Sequence, residues 1–181
     1  MLPSPTSVRD RAGVAVVFAG DDADLRMCFI RRVAREGDPW SGHMAFPGGR
    51  ACEGDESTRA CAEREAFEEV GLDLSRASFL GALDEVPLRR IVNTDAVLSP
   101  FVYAWPGALP DLRPDAREVA DAFWTPIVQL WDPGNHTEVP WIHEGTRMRF
   151  PGITHGPDVI WGLTYRVLDN FAKRIGHPLR S

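Results

Sequence analysis

The chain has 181 residues, 44% of them apolar, which suits one globular domain over 1–181 with a sizeable buried core and leaves no need for a second. Its formal charge of −6 excludes nonspecific nucleic-acid binding through a basic patch but is compatible with a small anionic ligand, part of the acidity being neutralised locally by metal. Cys28, Cys52 and Cys61 are odd in number and show no CxxC or Cys/His spacing, which argues against a disulfide framework or zinc site and for a reducing compartment.

At the N-terminus, Met1 to Arg11 carries prolines and early charge where a secretory segment needs an apolar run, and no stretch of about 18 apolar residues occurs further on. The expectation is a cytoplasmic protein with no membrane partner. Residues 13–18 and 25–31, both apolar and separated by the turn Gly20-Asp21-Asp22-Ala23-Asp24, predict a β-hairpin. A loop around Gly37–Gly42 leads into a short strand at Met44–Phe46 and then the diglycine Gly48-Gly49.

The next segment predicts a helix over 57–70, with Asp55 and Ser57 as N-cap types, Gly71 as a left-handed C-cap and no intervening proline. Taking Glu65 as zero, Glu68 falls near about 300° and Glu69 near about 40°, while Ala60, Ala66, Phe67 and Val70 fall between roughly 100° and 220°. This places the carboxylates opposite the core stripe. Three crowded carboxylates weaken an isolated helix by a few tenths of a kcal/mol per pair unless a cation joins them, and such hard oxygen donors suit Mg²⁺ or Mn²⁺. A bare EAxEE stretch is more often a solvated acidic face, so the surrounding frame has to decide.

Beyond the helix, strands are expected at 77–83, 97–104, 121–125, 138–143 and near 146–150, with a loop from Pro106 to Pro114. Residues 157–173 have apolar positions at 159/160, 163, 167/168 and 171, which predicts a terminal helix started by Pro157-Asp158.

The run Arg64-Glu65-Ala66-Phe67-Glu68-Glu69-Val70-Gly71-Leu72 resembles the second half of the Nudix box, REUxEExGU, with Ala66 at the first apolar site. Upstream, six residues rather than five separate Gly49 from Glu56. The Phe46-Pro47-Gly48-Gly49-Arg50 lead-in and the Gly54-Asp55 pair resemble the coenzyme A diphosphatase-like subgroup, whose loop is similarly lengthened. The resemblance implies an α+β fold, a Nudix-like α/β/α sandwich with a mixed β-sheet between the box helix and a C-terminal helix.

It also implies a metal-dependent diphosphatase acting on a small-molecule diphosphate, with Glu65, Glu68 and Glu69 holding Mg²⁺ or Mn²⁺, a Gly49 carbonyl completing the coordination, and Arg64 orienting a box glutamate. Members use either a box glutamate or a carboxylate of a later loop as general base; among Asp111, Asp115 and Glu118, Glu118 is the choice here. Gly48 and Gly49 let backbone approach metal or phosphate without a Cβ in the way. Arg31 and Arg32, on opposite faces if they share a strand, and Arg50 are candidate substrate-binding cations. Glu56 reads as structural, favoured by the helix N-terminus, and Glu53 and Glu63 as surface charges. Trp40, His43 and Trp161 are candidates for ligand contact, weighed against core or rim packing. A homodimer is carried as an expectation from the family.

Gly42-His43-Met44-Ala45-Phe46-Pro47-Gly48-Gly49 matches part of the subgroup's upstream signature, whereas Asp38 stands where that signature has arginine, and Phe29–Val33 follows its start only loosely. Phe150-Pro151-Gly152-Ile153 and Ile160-Trp161-Gly162-Leu163-Thr164 also resemble it. The leading expectation is hydrolysis of coenzyme A or a thioester of it to 3′,5′-ADP and a phosphopantetheine. The alternatives are a Nudix hydrolase of another nucleoside diphosphate derivative or nucleoside triphosphate, or a Nudix ligand-sensing module of weak activity.

Overall fold

Gly13-Val14-Ala15-Val16-Val17-Phe18 is apolar without a break, the pattern of a strand covered on both faces. In the structure, a computed structural model describing residues 11–37, 41–88, 96–143 and 146–179, it forms the middle of β1 (Arg11–Ala19). Val14, Val16 and Phe18 enter one core with Met27 and Phe29, while Ala15, Val17 and Ala19 enter a second with Cys28 and Ile30. The first core is closed by α3 (Gly162–Arg174) through Val167, Leu168 and Ala172, the second by α1 (Thr58–Val70) through Ala62, Ala66 and Val70. The sheet thus lies between two helices, as the expected sandwich requires, and each large side chain buried this way contributes about 1.5–3 kcal/mol.

The sheet has eight strands, in the order β3 (Met44–Ala45), β2 (Arg26–Arg32), β1, β7 (Val97–Ala104), β5 (Ser78–Ala82), with β4 (Gly48–Arg50) on β1, β6 (Val86–Pro87) on β7 and β8 (Val119–Pro126) on β2. β1 and β7 run parallel from Arg11 opposite Val97 to Phe18 opposite Ala104, and the other pairings are antiparallel. The hairpin is present, but its strands part: β2 matches β1 only at Phe18↔Met27 and Ala19↔Arg26, then turns to β8 and β3. β4 takes its place beside Ala12–Val14, which carries the diglycine into the sheet next to α1.

After β8 come a short helix α2 (Ile127–Trp131) and a separate antiparallel sheet of β9 (His136–His143), β10 (Thr146–His155) and β11 (Asp158–Trp161). Here the expectation is corrected. The terminal helix begins at Gly162, not at Pro157-Asp158: residues 158–161 pair with Gly152–His155 as a strand, and a positive φ of 63° at Gly162 turns the chain into α3. The strand near 146–150 correspondingly extends to His155. No helix among the described residues is long and apolar enough to cross a membrane, and Cys28, Cys52 and Cys61 are free thiols.

Candidate active site

The site is built around α1, whose ends are those its sequence prescribes. Ser57 accepts a hydrogen bond from the Ala60 N–H at 3.0 Å, and Gly71, at φ 74°, donates to the Phe67 carbonyl while Leu72 donates to Ala66. The loop before β8 secures two more C-terminal carbonyls, with Arg113 N–H donating to Val70 and Asp115 N–H to Glu69, both at 2.9 Å. That docking brings Glu118 alongside the helix.

The helix is rolled further than its sequence suggested. Its buried residues are Cys61, Ala62, Ala66, Glu69 and Val70, while Phe67, expected in the core stripe, is 60% exposed. The carboxylates therefore do not oppose the core face: Glu69 lies within it, 3% exposed, and Glu65 lies at its edge. Glycines make this possible. A Cβ on Gly13 would stand 2.0 Å from the Thr58 carbonyl oxygen, so only glycine lets β1 approach α1 this closely, and one on Gly49 would stand 2.5 Å from the Glu65 carboxyl carbon, in the space that carboxylate occupies.

Carboxylate oxygens of Glu65, Glu69 and Glu118 lie within 4.8 Å of one another. Oxygens on opposite sides of a Mg²⁺ ion, each about 2.1 Å from it, are about 4.2 Å apart, so the group has the spacing and the hard-donor chemistry for a divalent cation. Electrostatics point the same way. Burial pushes the Glu69 carboxyl up to about 8, against the Gly48 N–H that donates to it at 2.8 Å, and Glu65 and Glu118 raise it further. Burial also raises Glu65, although Arg64 opposes the shift. A nearby cation would relieve this crowding of negative charge.

Arg64 reaches Glu65 at 2.9 Å and Glu68 at 2.8 Å, and is itself gripped by Asp55 at 2.9 and 3.1 Å. The Arg64 guanidinium holds the Asp55 carboxyl well below the usual carboxylate range, and Asp55 in turn raises Arg64. Asp55, read as a cap type, is instead this arginine's anchor. Glu68 stands apart from the three clustered carboxylates, largely solvent-facing beside a smaller hollow of about 270 Å³ that it shares with Glu69, Asp115, Arg117 and Glu118. Asp115 is engaged by Arg117 at 2.6 Å, which lowers its pKa.

Above the carboxylates opens a cleft of about 600 Å³, bordered by Gly48, Gly49, Arg50, Arg32 and Arg11, with Leu88, Leu98, Leu163 and Val167 along its apolar side and His43 and Trp161 at its lip. Arg32 faces it and interacts favourably with Glu69. Arg31 projects elsewhere, to Asp158 at 3.3 Å and Asp121 at 3.7 Å, as alternation along a strand dictates. Arg50 is exposed in the cleft without an ion-pair partner among the described residues. The Gly49 carbonyl accepts a contact from the Cys61 thiol at 3.4 Å, and the Gly48 N–H is committed to Glu69. Glu63, read as a surface charge, accepts a hydrogen bond from the buried Tyr103 hydroxyl at 2.9 Å. Glu56 is exposed beside the helix start. Asp38 and Trp40 lie outside the described residues.

A helix bearing acidic side chains toward a glycine strand, beside a cleft, makes a cluster of hard oxygen donors on a sandwich fold. Residues 9–144 match the NUDIX domain, and the chain belongs to the Nudix family. It is 31% identical over 201 residues to the human mitochondrial coenzyme A diphosphatase NUDT8, covering 98% of this chain and 83% of that protein. It is 29% identical to Nudix hydrolase 22, chloroplastic, of Arabidopsis thaliana, over 93% of this chain. The chain spans only 56% of that relative's length, and 34% of an uncharacterised Schizosaccharomyces pombe protein, C14C4.10c, to which it is 41% identical over 118 residues. Among solved structures, the MutT/nudix family protein of Enterococcus faecalis has the same fold, with a TM-score of 0.57 at 18% identity over 97% of this chain and 65% of that one.

Proposed function

We propose that this protein is a Mg²⁺- or Mn²⁺-dependent hydrolase that splits the diphosphate linkage of coenzyme A or a derivative of it, giving 3′,5′-ADP and a phosphopantetheine. The observation that carries the reaction class is the convergence of Glu65, Glu69 and Glu118 beneath the cleft. The likeness to NUDT8 across nearly the whole chain supports the substrate.

Glu65 and Glu69, with the Gly49 carbonyl, would hold the cation, with Glu68 beside them and Glu118 facing it as the base. When bound, it supplies positive charge that polarises a phosphoryl oxygen and makes water a better nucleophile. Arg64, clamped by Asp55, fixes the Glu65 carboxylate and shares its charge. The Gly48 N–H holds Glu69 in one orientation. Glu118, exposed at the edge of the cleft, takes the proton from the attacking water as a new P–O bond forms. The anhydride P–O bond breaks, and the electron pair leaves with the departing phosphate. Arg50 and Arg32 meet the anionic substrate from the cleft wall.

The test is to incubate the purified protein with Mg²⁺ or Mn²⁺ and coenzyme A, acetyl-coenzyme A, ADP-ribose, NADH, a diadenosine polyphosphate and the nucleoside triphosphates, separating products by chromatography. Release of 3′,5′-ADP from coenzyme A is expected. Cleavage confined to another compound would transfer the proposal to a different nucleoside diphosphate derivative, a reading favoured by Asp38 standing in place of the subgroup's arginine. Binding without turnover of any compound would favour a ligand-sensing module.

A further inference from the structure

Three aromatic rings line the cleft: the buried Phe46 and the half-buried Trp161 and His43. Trp161 ends β11 and lines the cleft; its ring is contacted by His43 of β3 at 4.9 Å between centroids, by Trp141 of β9 at 5.4 Å and by Phe150 of β10 at 6.3 Å. Trp161 and His43 are half-buried and Trp141 is 41% exposed, so this cluster is not part of a closed core. Its inclinations of 45–56° leave no parallel slot between rings, so a planar ligand would lie on the accessible surface of the indole.

The rest of the cleft has a different character. Thr164, three residues after Trp161, donates to the Met44 carbonyl at 2.8 Å and pins the start of α3 beside β3. Further along α3, Arg166 reaches the Pro87 carbonyl, so the helix runs from the aromatic lip toward β6. Leu163, Val167, Leu98 and Leu88 form an aliphatic wall, with Arg11 and Arg50 on the same cleft. An aliphatic arm has ample surface there. Of the aromatic lining residues, Phe46 is 3% exposed and stacked on Phe29, so a flat heterocycle finds accessible aromatic surface at Trp161 and His43.

We infer that Trp161, braced by His43, Trp141 and Phe150, is the platform on which the nucleobase of a nucleoside diphosphate substrate stacks. The inference rests on the proposed diphosphate chemistry of the cleft and adds the orientation of the substrate: base toward the separate sheet of β9 to β11, the other substituent of the diphosphate along the aliphatic wall. A base presents a π-face to indole whatever its hydrogen-bonding edge, so the platform selects nucleotides from simpler diphosphates and tolerates different bases.

Equilibrium binding to the full chain in Mg²⁺ tests it, with ADP, inorganic pyrophosphate and pantetheine as probes and Trp161→Ala and Trp161→Phe as variants. Trp161→Ala should weaken ADP about tenfold or more while leaving pyrophosphate and pantetheine within about twofold, and Trp161→Phe should keep most of the ADP affinity. Far-ultraviolet circular dichroism establishes that each variant is folded, and Trp161→Phe still decides the matter if the alanine variant is not. Equal ADP affinity in wild type and Trp161→Ala would overturn the inference. So would equal losses for ADP and pyrophosphate, a loss confined to pantetheine, an ADP loss in Trp161→Phe as large as full truncation gives, or no ADP binding to the wild type. Because these are binding measurements, failure to hydrolyse coenzyme A would remove the proposed substrate without touching the stacking result.

Discussion

Glu69 is the residue on which the site turns, and its chemistry could be only half read from the sequence. The spacing of Glu65, Glu68 and Glu69 identifies a shared helical face. Which part of that face meets the sheet depends on how closely β1 approaches, which Gly13 permits, and on the room that Gly49 leaves for the Glu65 carboxylate. The outcome is a carboxylate in a buried position, bonded to a backbone N–H, with its pKa pushed up to about 8 by desolvation. Glu69→Gln keeps the shape and removes the charge. It should lower metal-dependent turnover by at least about a hundredfold, since an anionic donor and its electrostatic contribution are lost. Above about pH 8, where Glu69 is ionised, thermal unfolding should stay level or rise, because a neutral amide is no worse a buried group than a crowded carboxylate. Parallel kinetics and calorimetry check both halves, and wild-type turnover at matched metal would refute the site. Asp55 shows the other limit: an ion pair between a loop and a helix nine residues on has no periodic signature, so its hold on Arg64 emerges only from the fold.

At the scale of elements, the capped helix α1 and the strands of the central sheet were readable because their signals are local: Ser57 and Gly71 at the helix ends, an apolar run in β1 and one interrupted only at Ser99-Pro100 in β7. The tail was not, since an apolar pair at Val159-Ile160 fits the start of an amphipathic helix as well as a short strand. What decides is the partner strand β10, which pairs with 158–161 and leaves Ile160 fully buried. The contact of α1 with β1 is the one where a single methyl group matters most. Gly13→Ala would drive a Cβ to 2.0 Å from the Thr58 carbonyl oxygen, forcing helix and strand apart. A loss of about 1–3 kcal/mol is expected, which lowers Tm by roughly 2–4 °C per kcal/mol in a domain of this size. Gly54→Ala is the control, because its nearest neighbour would be the Cys52 thiol at an ordinary 3.9 Å. Differential scanning calorimetry of the two variants should separate them clearly.

For the molecule as a whole, the acidic site makes stability depend on pH and cation together. Glu69 has an ordinary pKa of 4.5 and a folded value of about 8, so between these values the folded state retains a proton that the unfolded chain has lost. The associated stability is fully present below about 4.5 and is lost as pH rises through about 8. In chelator, Tm should therefore fall across that window. Adding Mg²⁺ or Mn²⁺ should raise it most at the alkaline end, where the carboxylates are ionised and a bound cation stabilises the native state by mass action. A Tm series with and without cation measures this, and a cation effect independent of pH would contradict it.

The parallel seam between β1 and β7 has a bearing on how the protein comes to be active. It joins the first described strand to one from beyond the middle of the chain, with Arg11 opposite Val97 and Phe18 opposite Ala104. A junction between segments so remote in sequence closes against a large loss of chain entropy and belongs to the slow part of folding. α1, by contrast, carries its own start and stop signals and can form early. Yet the carboxylates it bears meet Gly48 through β4 paired on β1, and Glu118 through the loop that leads into β8, paired on β2. Assembly of the carboxylate cluster thus depends on long-range pairing of the sheet and not on the helix that holds the family's signature alone.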